Sequence, residues 1–235
     1  MTIEEVMSEL ETVGSPAIKK VFLNHGAREP FFGVKVADLK LILKKTKKDQ
    51  ALAMELYRTG NSDAMYLAGL MADGKKMAKH EINNWVQSAY WYMISEYTVP
   101  WVASESDFGT ELADEWIENA EENIAAAGWS TWSCVISVVP NENLPIERIR
   151  LLLNKVKTNI HSSPNRVRYC MNNFVISVGS YIGELSEEAI HIANHIGKVN
   201  VDMGGTACKV PLAAEYIEKS KAHGSLNKKR KLVKC

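Results

Sequence analysis

Six tryptophans crowd into the middle of this chain, and they are the side chains whose chemistry stands out first. They all lie between residues 85 and 132, at Trp85, Trp91, Trp101, Trp116, Trp129 and Trp132. An indole ring can stack on a nucleobase or contact a sugar, which predicts that Trp91, Trp129 and Trp132 line a groove. The alternative is that tryptophans fill gaps between helices, the interpretation we favour for Trp116 at helical spacing from Leu112.

Two arginines open a helix predicted to follow Ser163-Pro164. Arg166 and Arg168 are two residues apart, so they point to different faces of that helix. Together with the free N–H groups of the helix start, they could bind a phosphate group. The alternative is that they pair with carboxylates of the acidic stretch at residues 105–122.

A basic tail is the third feature that could bind an anion. Lys228, Lys229, Arg230 and Lys231 form a cluster suited to contacts with phosphates that release counterions. The same residues could equally be a solvated, frayed terminus.

The formal net charge of the chain is zero, which argues against a uniformly basic surface. Positive charge is nevertheless concentrated at residues 35–48, 148–168 and 228–234, and negative charge at residues 105–122. Such a chain can be neutral and still carry one basic face. Double-stranded DNA, held through its phosphates, is therefore the predicted partner.

No pattern in the sequence indicates a metal or a cofactor. His191 and His195 are one helical turn apart, but no third ligand is near. The segment 202–209 lacks the Gly-Lys-Ser/Thr ending of a phosphate-binding loop, and it is predicted to be a tight connection to a last helix that begins at Pro211. The cysteines have no CxxC spacing and are predicted to be reduced thiols: Cys134, Cys170, Cys208 and Cys235.

The elements that must position these side chains are predicted to be helices. Apolar residues recur at helical spacing through residues 146–160 and in several other stretches. Thr2 and Glu5 predict a capping box, while Ser15-Pro16 and Ser163-Pro164 each place a hydroxyl before a proline suited to the first helical position. Residues 134–139 and 174–178 are rich in β-branched side chains, so short buried strands remain an alternative there.

A weak repetition predicts how the helices are arranged. Three times, an apolar helix leads through a short turn rich in Asn or Ser to a second helix of small and aromatic residues. A helix pair cannot bury both of its apolar faces alone, so stacked neighbours must complete the core. We therefore predict an all-α superhelix of stacked antiparallel HEAT-like helix pairs over residues 1–220, followed by a separate basic tail over residues 221–235.

The sequence also predicts a cytoplasmic protein. No apolar run is long enough to span a bilayer, which excludes a membrane-integral class. The acidic N-terminal segment does not have the composition of a signal or transit peptide.

Residues 24–39 resemble the DNA alkylation repair family, the HEAT-repeat alkylpurine DNA glycosylases. The string Pro30-Phe31-Phe32-Gly33-Val34-Lys35, followed by an amphipathic helix, is typical of the first repeat in that family. With the helix-pair repetition, the resemblance covers residues 1–200. It implies a positively charged concave groove that holds duplex DNA and, in active members, hydrolysis of the N-glycosidic bond of an N3- or N7-alkylated purine.

The resemblance also implies a site in which a tryptophan is followed four residues later by a catalytic aspartate that stabilises the oxocarbenium ion. Trp91 fits that pattern, but Ser95 stands where the aspartate is expected. Glu96 is one position further, about 100° around an α-helix, and so is not an equivalent. The arginine expected a turn after Trp129 is replaced by Trp132, and the groove tryptophan of the final repeat is replaced in residues 172–174.

These differences predict a divergent member of the family. The leading hypothesis is a DNA-binding protein that is either non-catalytic or a glycosylase with Glu96 as the best available carboxylate and Trp91 and Trp129 contacting the sugar. The alternative, from a different class, is a protein-interaction scaffold whose tryptophan-rich face grips a peptide or helix. Net neutrality favours the scaffold, whereas a steep salt dependence of duplex binding would favour the DNA-binding protein.

Overall fold

The chain folds into helices joined by short connections. The computed structural model describes residues 1–205 and 208–234, and within these ranges the regular structure is helical and includes no strand. The α-helices are α1 Ile3–Val13, α2 Pro16–Asn24, α3 Val36–Thr46, α4 Gln50–Arg58, α5 Ser62–Met71, α6 Lys79–Ser88, α7 Val99–Glu105, α8 Gly109–Ile117, α9 Glu122–Val138, α10 Ile146–Asn159, α11 Asn165–Tyr181, α12 Ser186–Ile196 and α13 Ala213–Ala222. A π-helix, Met93–Thr98, leads directly into α7.

From α4 onward the helices pack as consecutive pairs: α4 with α5, α6 with α7, α8 with α9, α10 with α11 and α12 with α13. The second helices of the pairs also pack on one another, since α5 contacts the π-helix, α7 contacts α9, α9 contacts α11 and α11 contacts α13. These second helices form an inner layer, and their partners form an outer one. The predicted all-α architecture of stacked helix pairs is confirmed.

The helix starts follow the predicted signals in part. The capping box of α1 is present, because the Thr2 N–H donates to the Glu5 carboxylate at 2.9 Å and the Glu5 N–H donates to the Thr2 hydroxyl at 3.3 Å. Helix α2 begins at Pro16 as predicted, although Ser15 makes no side-chain capping hydrogen bond. Pro164 lies at the cap of α11 rather than at its first helical position.

The two segments that could have been strands are helical. Residues 134–138 belong to α9 and residues 174–178 to α11. Both helices are central to the inner layer, where most of their β-branched side chains pack in a dry core. Burial on a tightly packed helix face therefore outweighs the β-preference of these side chains.

The loop between α2 and α3 is tied to the start of α5 by a single carboxylate. Asp63, which is 2% exposed, accepts hydrogen bonds from the backbone N–H groups of Phe32, Gly33 and Val34 at 2.6, 2.9 and 3.0 Å. Asn61 caps α5 and accepts from the Asp63 N–H at 3.0 Å. The Phe-Phe-Gly-Val string therefore serves to join the first helices to the pairs that follow.

The predicted boundary between residues 220 and 221 falls inside α13, and the described residues after this helix make defined contacts with the rest of the protein. Residues 225–234, which we call the C-terminal strap, run back over the body of the protein. The Arg230 N–H donates to the Ser137 carbonyl at 2.7 Å, and Val233 is 3% exposed in the core that the N-terminal half of the chain forms. The interpretation of this segment as a solvated terminus is therefore wrong.

The segment at residues 202–209 is described only in part, because Thr206 and Ala207 lie outside the described residues. The Asp202 N–H donates to Asn165 at the start of α11 at 2.7 Å. The last helix begins at Ala213, two residues after the predicted start at Pro211. Pro211 instead contributes its carbonyl, which accepts from the Asn172 side chain at 3.0 Å.

Across the described ranges, no helix combines the length and apolar character that crossing a membrane requires. Within the same ranges, no group of three His, Cys, Asp or Glu side chains could hold a metal ion. Among the described residues, Cys134, Cys170 and Cys208 form no disulfide bond, whereas Cys235 lies outside the described residues.

Candidate functional site

A polar groove runs along the inner layer of helices. Its floor combines hydroxyl and amide side chains of α9 and α11 with tyrosines, and the C-terminal strap forms one end. The lining residues include Glu96, Tyr97, Ser130, Ser133, Ser137, Tyr169, Asn173, Ser177, Tyr181, Arg230 and Val233. Beyond Tyr181 the groove continues between α11 and α13, where Lys209, Tyr216 and Ser220 line it.

The most buried charges of the groove form an ion pair. Arg166 Nε and Nη2 donate to Glu96 Oε1 and Oε2, each at 2.6 Å, and the side chains are 18% and 3% exposed. The guanidinium also lies over the rings of Tyr92 and Tyr169, 5.1 and 4.5 Å from their centroids. A bidentate pair between aromatic rings fixes both side chains in one geometry.

Because both oxygens of Glu96 accept hydrogen bonds from Arg166, Glu96 does not present an unpaired negative charge to the groove. Burial raises the pKa of the Glu96 carboxyl, and the hydrogen bonds and charge of Arg166 oppose that rise. Stabilising an oxocarbenium ion requires a carboxylate that can face the developing positive charge. Both oxygens of Glu96 face a guanidinium instead, which suits a structural role better than a catalytic one.

The π-helix explains why Glu96, and not Ser95, faces Arg166. Ser95 is fully buried, and its hydroxyl donates to the Trp91 carbonyl at 3.2 Å. The prediction that Glu96 could not take the place of residue 95 assumed α-helical spacing throughout. In a π-helix the backbone bonds join residues five apart, so the side chains rotate away from α-helical positions. That Glu96 is not an equivalent of an aspartate at residue 95 stays a prediction.

The tryptophans predicted to line the groove lie in the core. Trp91 is 4% exposed and its indole N–H donates to the Ser62 hydroxyl at 2.9 Å, whereas Trp129 and Trp132 are fully buried. The Trp132 indole N–H donates to Asp114 on the outer helix α8 at 3.0 Å. Large side chains between packed helices gain most from leaving water, so the gap-filling alternative describes these residues.

The aromatic side chains that line the groove are three tyrosines and Trp101, which is 3% exposed. Tyr97, Tyr169 and Tyr181 line it, and each is partly exposed. None of these three tyrosines was predicted as a groove residue, although tyrosine is the aromatic side chain best suited to a wet surface because its hydroxyl keeps a polar partner. Asn173, in the region where a groove tryptophan was expected, also lines the groove.

Arg166 and Arg168 do not converge on one phosphate site. Arg166 pairs with Glu96, while Arg168 Nη2 donates to Asn165 Oδ1 at 3.3 Å. The alternative was that these arginines pair with carboxylates of residues 105–122. Among the described residues, the contact of this kind is at the end of that stretch, where the Arg166 backbone N–H donates to Glu122 at 2.6 Å.

Several carboxylates of the acidic stretch pair with cations of neighbouring outer helices. Asp114 on α8 pairs with Arg148 on α10 at 3.1 Å, and Lys79 on α6 pairs with Glu111 and Glu115 at 3.0 and 2.5 Å. These pairs lie between outer helices, away from the groove-lining residues. Part of the negative charge of the stretch is therefore paired outside the groove.

The basic tail residues have different environments. Arg230 lines the groove, whereas the Lys229 ammonium donates to the Ile136 carbonyl at 2.8 Å. Burial lowers the pKa of Lys229 to about 8. Lys228 is exposed, and exposed Lys231 lies beside Lys48 on a neighbouring edge of the protein. The four cations predicted as one cluster are thus separated by the path of the strap.

Two relatives from Listeria match this chain over nearly its whole length. An uncharacterized protein of Listeria innocua serovar 6a is 35% identical over 227 residues, covering 94% of this chain and 98% of the relative. An uncharacterized protein of Listeria monocytogenes serovar 1/2a is 34% identical with the same coverage.

A solved structure and a family model are also similar to this chain. The structure is described as "a new family of proteins related to the HEAT-like repeat DNA glycosylases with affinity for branched DNA structures"; it is 40% identical, has a TM-score of 0.91, and the two chains cover 100% of each other. The model of the family described as DNA alkylation repair enzyme matches residues 6–203, which confirms the resemblance predicted from residues 24–39. This chain therefore belongs to the DNA alkylation repair family.

Proposed function

We propose that this protein binds DNA, branched DNA in particular, along the polar groove and does not hydrolyse glycosidic bonds. The observation that carries the proposal is the bidentate pair between Glu96 and Arg166. It makes the best available carboxylate, one position after the Ser95 that stands where the resemblance implies the catalytic aspartate, part of a neutral ion pair.

Electrostatics supports the proposal that the protein does not hydrolyse glycosidic bonds. An oxocarbenium ion that formed beside Glu96 would meet a guanidinium charge as well as a carboxylate, and the net stabilisation of the ion would be small. Releasing the carboxylate would require breaking a buried pair, which costs about 3–5 kcal/mol. Ser95 offers no substitute, because its hydroxyl is buried and bonded to Trp91.

The composition of the groove supports the proposal that the protein binds DNA there. Arg230 and Lys209 supply positive charge, while the serines, tyrosines and Asn173 supply neutral donors. Phosphate oxygens accept from both kinds of group. The groove-lining residues include one carboxylate, Glu96, and Arg166 neutralises it. A groove of this kind suits a polyanion even though the whole chain has no net charge.

The solved relative supports the choice of branched DNA. That protein is described as having affinity for branched DNA structures, and it shares 40% identity and a TM-score of 0.91 with this chain. We therefore expect tighter binding to a four-way junction than to a linear duplex of the same base composition.

Fluorescence anisotropy tests DNA binding. The expected result is a junction affinity that exceeds the duplex affinity and falls steeply with salt, since each phosphate contact adds about 0.9 to the slope of log affinity against log salt. Absence of binding to either DNA at low salt would sink the proposal and favour the protein-interaction scaffold.

Base release tests the absence of catalysis. Methylated duplex DNA is incubated with the wild type and with Glu96→Gln, and free alkylated purines are measured. We expect no release above background from either protein. Release by the wild type would overturn this part of the proposal, and its loss in a Glu96→Gln protein that thermal melting shows to be folded would establish Glu96 as catalytic.

A further inference from the structure

The C-terminal strap is built differently from the rest of the fold, because it crosses several helix pairs instead of packing on its neighbours alone. We propose that the strap is a phosphate-binding wall of the groove, in which Arg230 contacts the DNA backbone while Lys229 and Lys234 anchor the wall to the body. This inference rests on the proposed DNA-binding function, and it assigns that function to particular residues.

The strap crosses the C-terminal ends of four inner elements in turn. The Asn227 N–H donates to Ser180 in α11 at 2.9 Å, and the Arg230 N–H donates to Ser137 in α9 at 2.7 Å. The Lys234 ammonium pairs with Glu105 at the end of α7 at 2.8 Å and also donates to the Ala72 carbonyl after α5.

Helix ends explain why a basic segment lies there. The last carbonyl groups of a helix lack intrahelical partners and carry the negative end of the helix dipole. Lys229 and Lys234 satisfy two such ends, at Ile136 and Ala72. The positive charge of these two lysines is therefore used within the protein, and they are not free to contact phosphates.

Buried contacts hold the strap in one position. The Lys234 side chain is 11% exposed and Val233 is 3% exposed, so the end of the strap is inserted rather than lying on the surface. Asn227 fixes the other end, because its side-chain oxygen accepts from the Gly183 N–H at 3.2 Å. A segment fixed at both ends holds its middle residues at defined places.

Arg230 lies in the middle of the strap and lines the groove. It is exposed and lines the groove beside Tyr181 and Asn173, and among the described residues it has no carboxylate within 4.0 Å. The positive charge of Arg230 opposes the rise that burial causes in the pKa of Tyr181. A guanidinium that is held near neutral donors and forms no ion pair with the described residues matches a phosphodiester group, which accepts two parallel hydrogen bonds.

The neighbouring edge continues this positive surface. Lys231 lies with Lys48 and Lys75 around a second cavity, which Asp73 and the Glu105 paired with Lys234 also line. Within the part of the chain that the structure describes, none of these three lysines forms an ion pair. The backbone of a DNA arm leaving the groove at this end would meet these lysines next.

The first experiment compares single charge removals. Arg230→Ala is expected to weaken binding to a four-way junction about tenfold, the effect of losing a charge-assisted hydrogen bond, and to lower the salt slope by about 1. The matched control is Lys157→Ala on α10, a helix that contributes no lining residue, and its affinity should equal that of the wild type. Thermal melting confirms that both variants are folded.

The second experiment tests the anchors without DNA. The strap contains trypsin sites after Lys228, Lys229, Arg230 and Lys231, and docking should protect them. We expect slow cleavage in the wild type, much faster cleavage in Lys234→Ala, and a junction affinity of Lys234→Ala reduced toward that of Arg230→Ala.

The outcomes separate this inference from the proposed function. If the wild type binds the junction and Arg230→Ala binds it equally well, the phosphate wall is wrong while DNA binding stands. If the wild type does not bind the junction at low salt, the proposed function fails and the phosphate wall with it. Equally fast cleavage of the wild type and Lys234→Ala would show that Lys234 is not an anchor.

Discussion

The backbone N–H of Gly33 donates to the Asp63 carboxylate across 30 residues of sequence, at 2.9 Å. Phe32 and Val34 donate to the same carboxylate. The short string on which the family resemblance rests is thus a cradle of N–H groups around one buried anion. This relationship connects a sequence motif to the stability of the fold, and two predictions test it.

Replacing Asp63 with Asn should lower the free energy of unfolding by about 2 kcal/mol or more. The amide has one acceptor oxygen for three N–H donors, and buried donors without partners are costly, at about 1–3 kcal/mol each. Urea denaturation measures the change, and Asp107→Asn, at an exposed carboxylate, serves as the control. An unchanged unfolding midpoint in Asp63→Asn would contradict this account of the motif.

Gly33→Ala should be more destabilising than Gly26→Ala, although both glycines have a positive φ, of 79° and 91°. A Cβ at Gly33 would lie 2.6 Å from the Lys19 backbone nitrogen, whereas a Cβ at Gly26 would meet nothing within 4 Å. Backbone strain alone costs about 1–3 kcal/mol, and only Gly33→Ala adds a steric clash. Thermal melting of the two variants tests the prediction, and equal losses would count against it.

Breaking the pair of Glu96 and Arg166 should destabilise the protein by about 3–5 kcal/mol in either single variant, because each leaves a buried group unpaired. The double variant Glu96→Gln with Arg166→Gln should lose less than the sum of the single losses. Urea unfolding of all four proteins gives the coupling energy. A coupling energy of zero would mean that the pair does not stabilise the fold.

Lys229 should make the protein more stable as the pH rises from about 8 to 10.5. Its pKa is lowered from 10.5 to about 8 by burial, so in this window the unfolded chain binds more protons than the folded chain, and stability increases with pH. The neutral amine can still donate to the Ile136 carbonyl. The difference in unfolding free energy between the wild type and Lys229→Met should therefore grow across this range, and a constant difference would refute the assignment.

Trp129→Phe should lower stability by about 2 kcal/mol, because the side chain is fully buried, while DNA affinity stays unchanged. Tyr181→Phe should weaken DNA binding about threefold with little change in stability, since it removes one hydroxyl donor from the groove. Anisotropy and urea denaturation distinguish the two effects. The reverse pattern would restore the tryptophans to the groove.

Sequence patterns predicted the architecture well because amphipathic helices place apolar residues at a regular spacing in the sequence. The spacing of apolar residues in α10 and the capping box at Thr2 are local signals, and the structure confirms both. The family resemblance likewise depended on a contiguous string. Features of this kind are visible before any tertiary contact is known.

The site was harder to predict because its geometry depends on contacts between distant residues. Glu96 and Arg166 are 70 residues apart, and the π-helix that turns Glu96 toward Arg166 has no signal in the local sequence. The tryptophans misled for a related reason: their ability to stack on bases is evident from the sequence, whereas their burial is a property of the packed fold. Tyrosine in an inner helix was the more useful indicator of the groove.

Helical repeat proteins usually let each unit contact only its neighbours, so their units can assemble progressively as the chain is made. The bond between Lys234 and Ala72 spans 162 residues and breaks that rule. A nascent chain can stack its helices while it is still attached to the ribosome, but the wall that carries Arg230 cannot close until residue 234 has emerged. Closure of the groove at this end therefore depends on a contact between residues far apart in the chain, whereas the stacking of the helix pairs depends on contacts between neighbours.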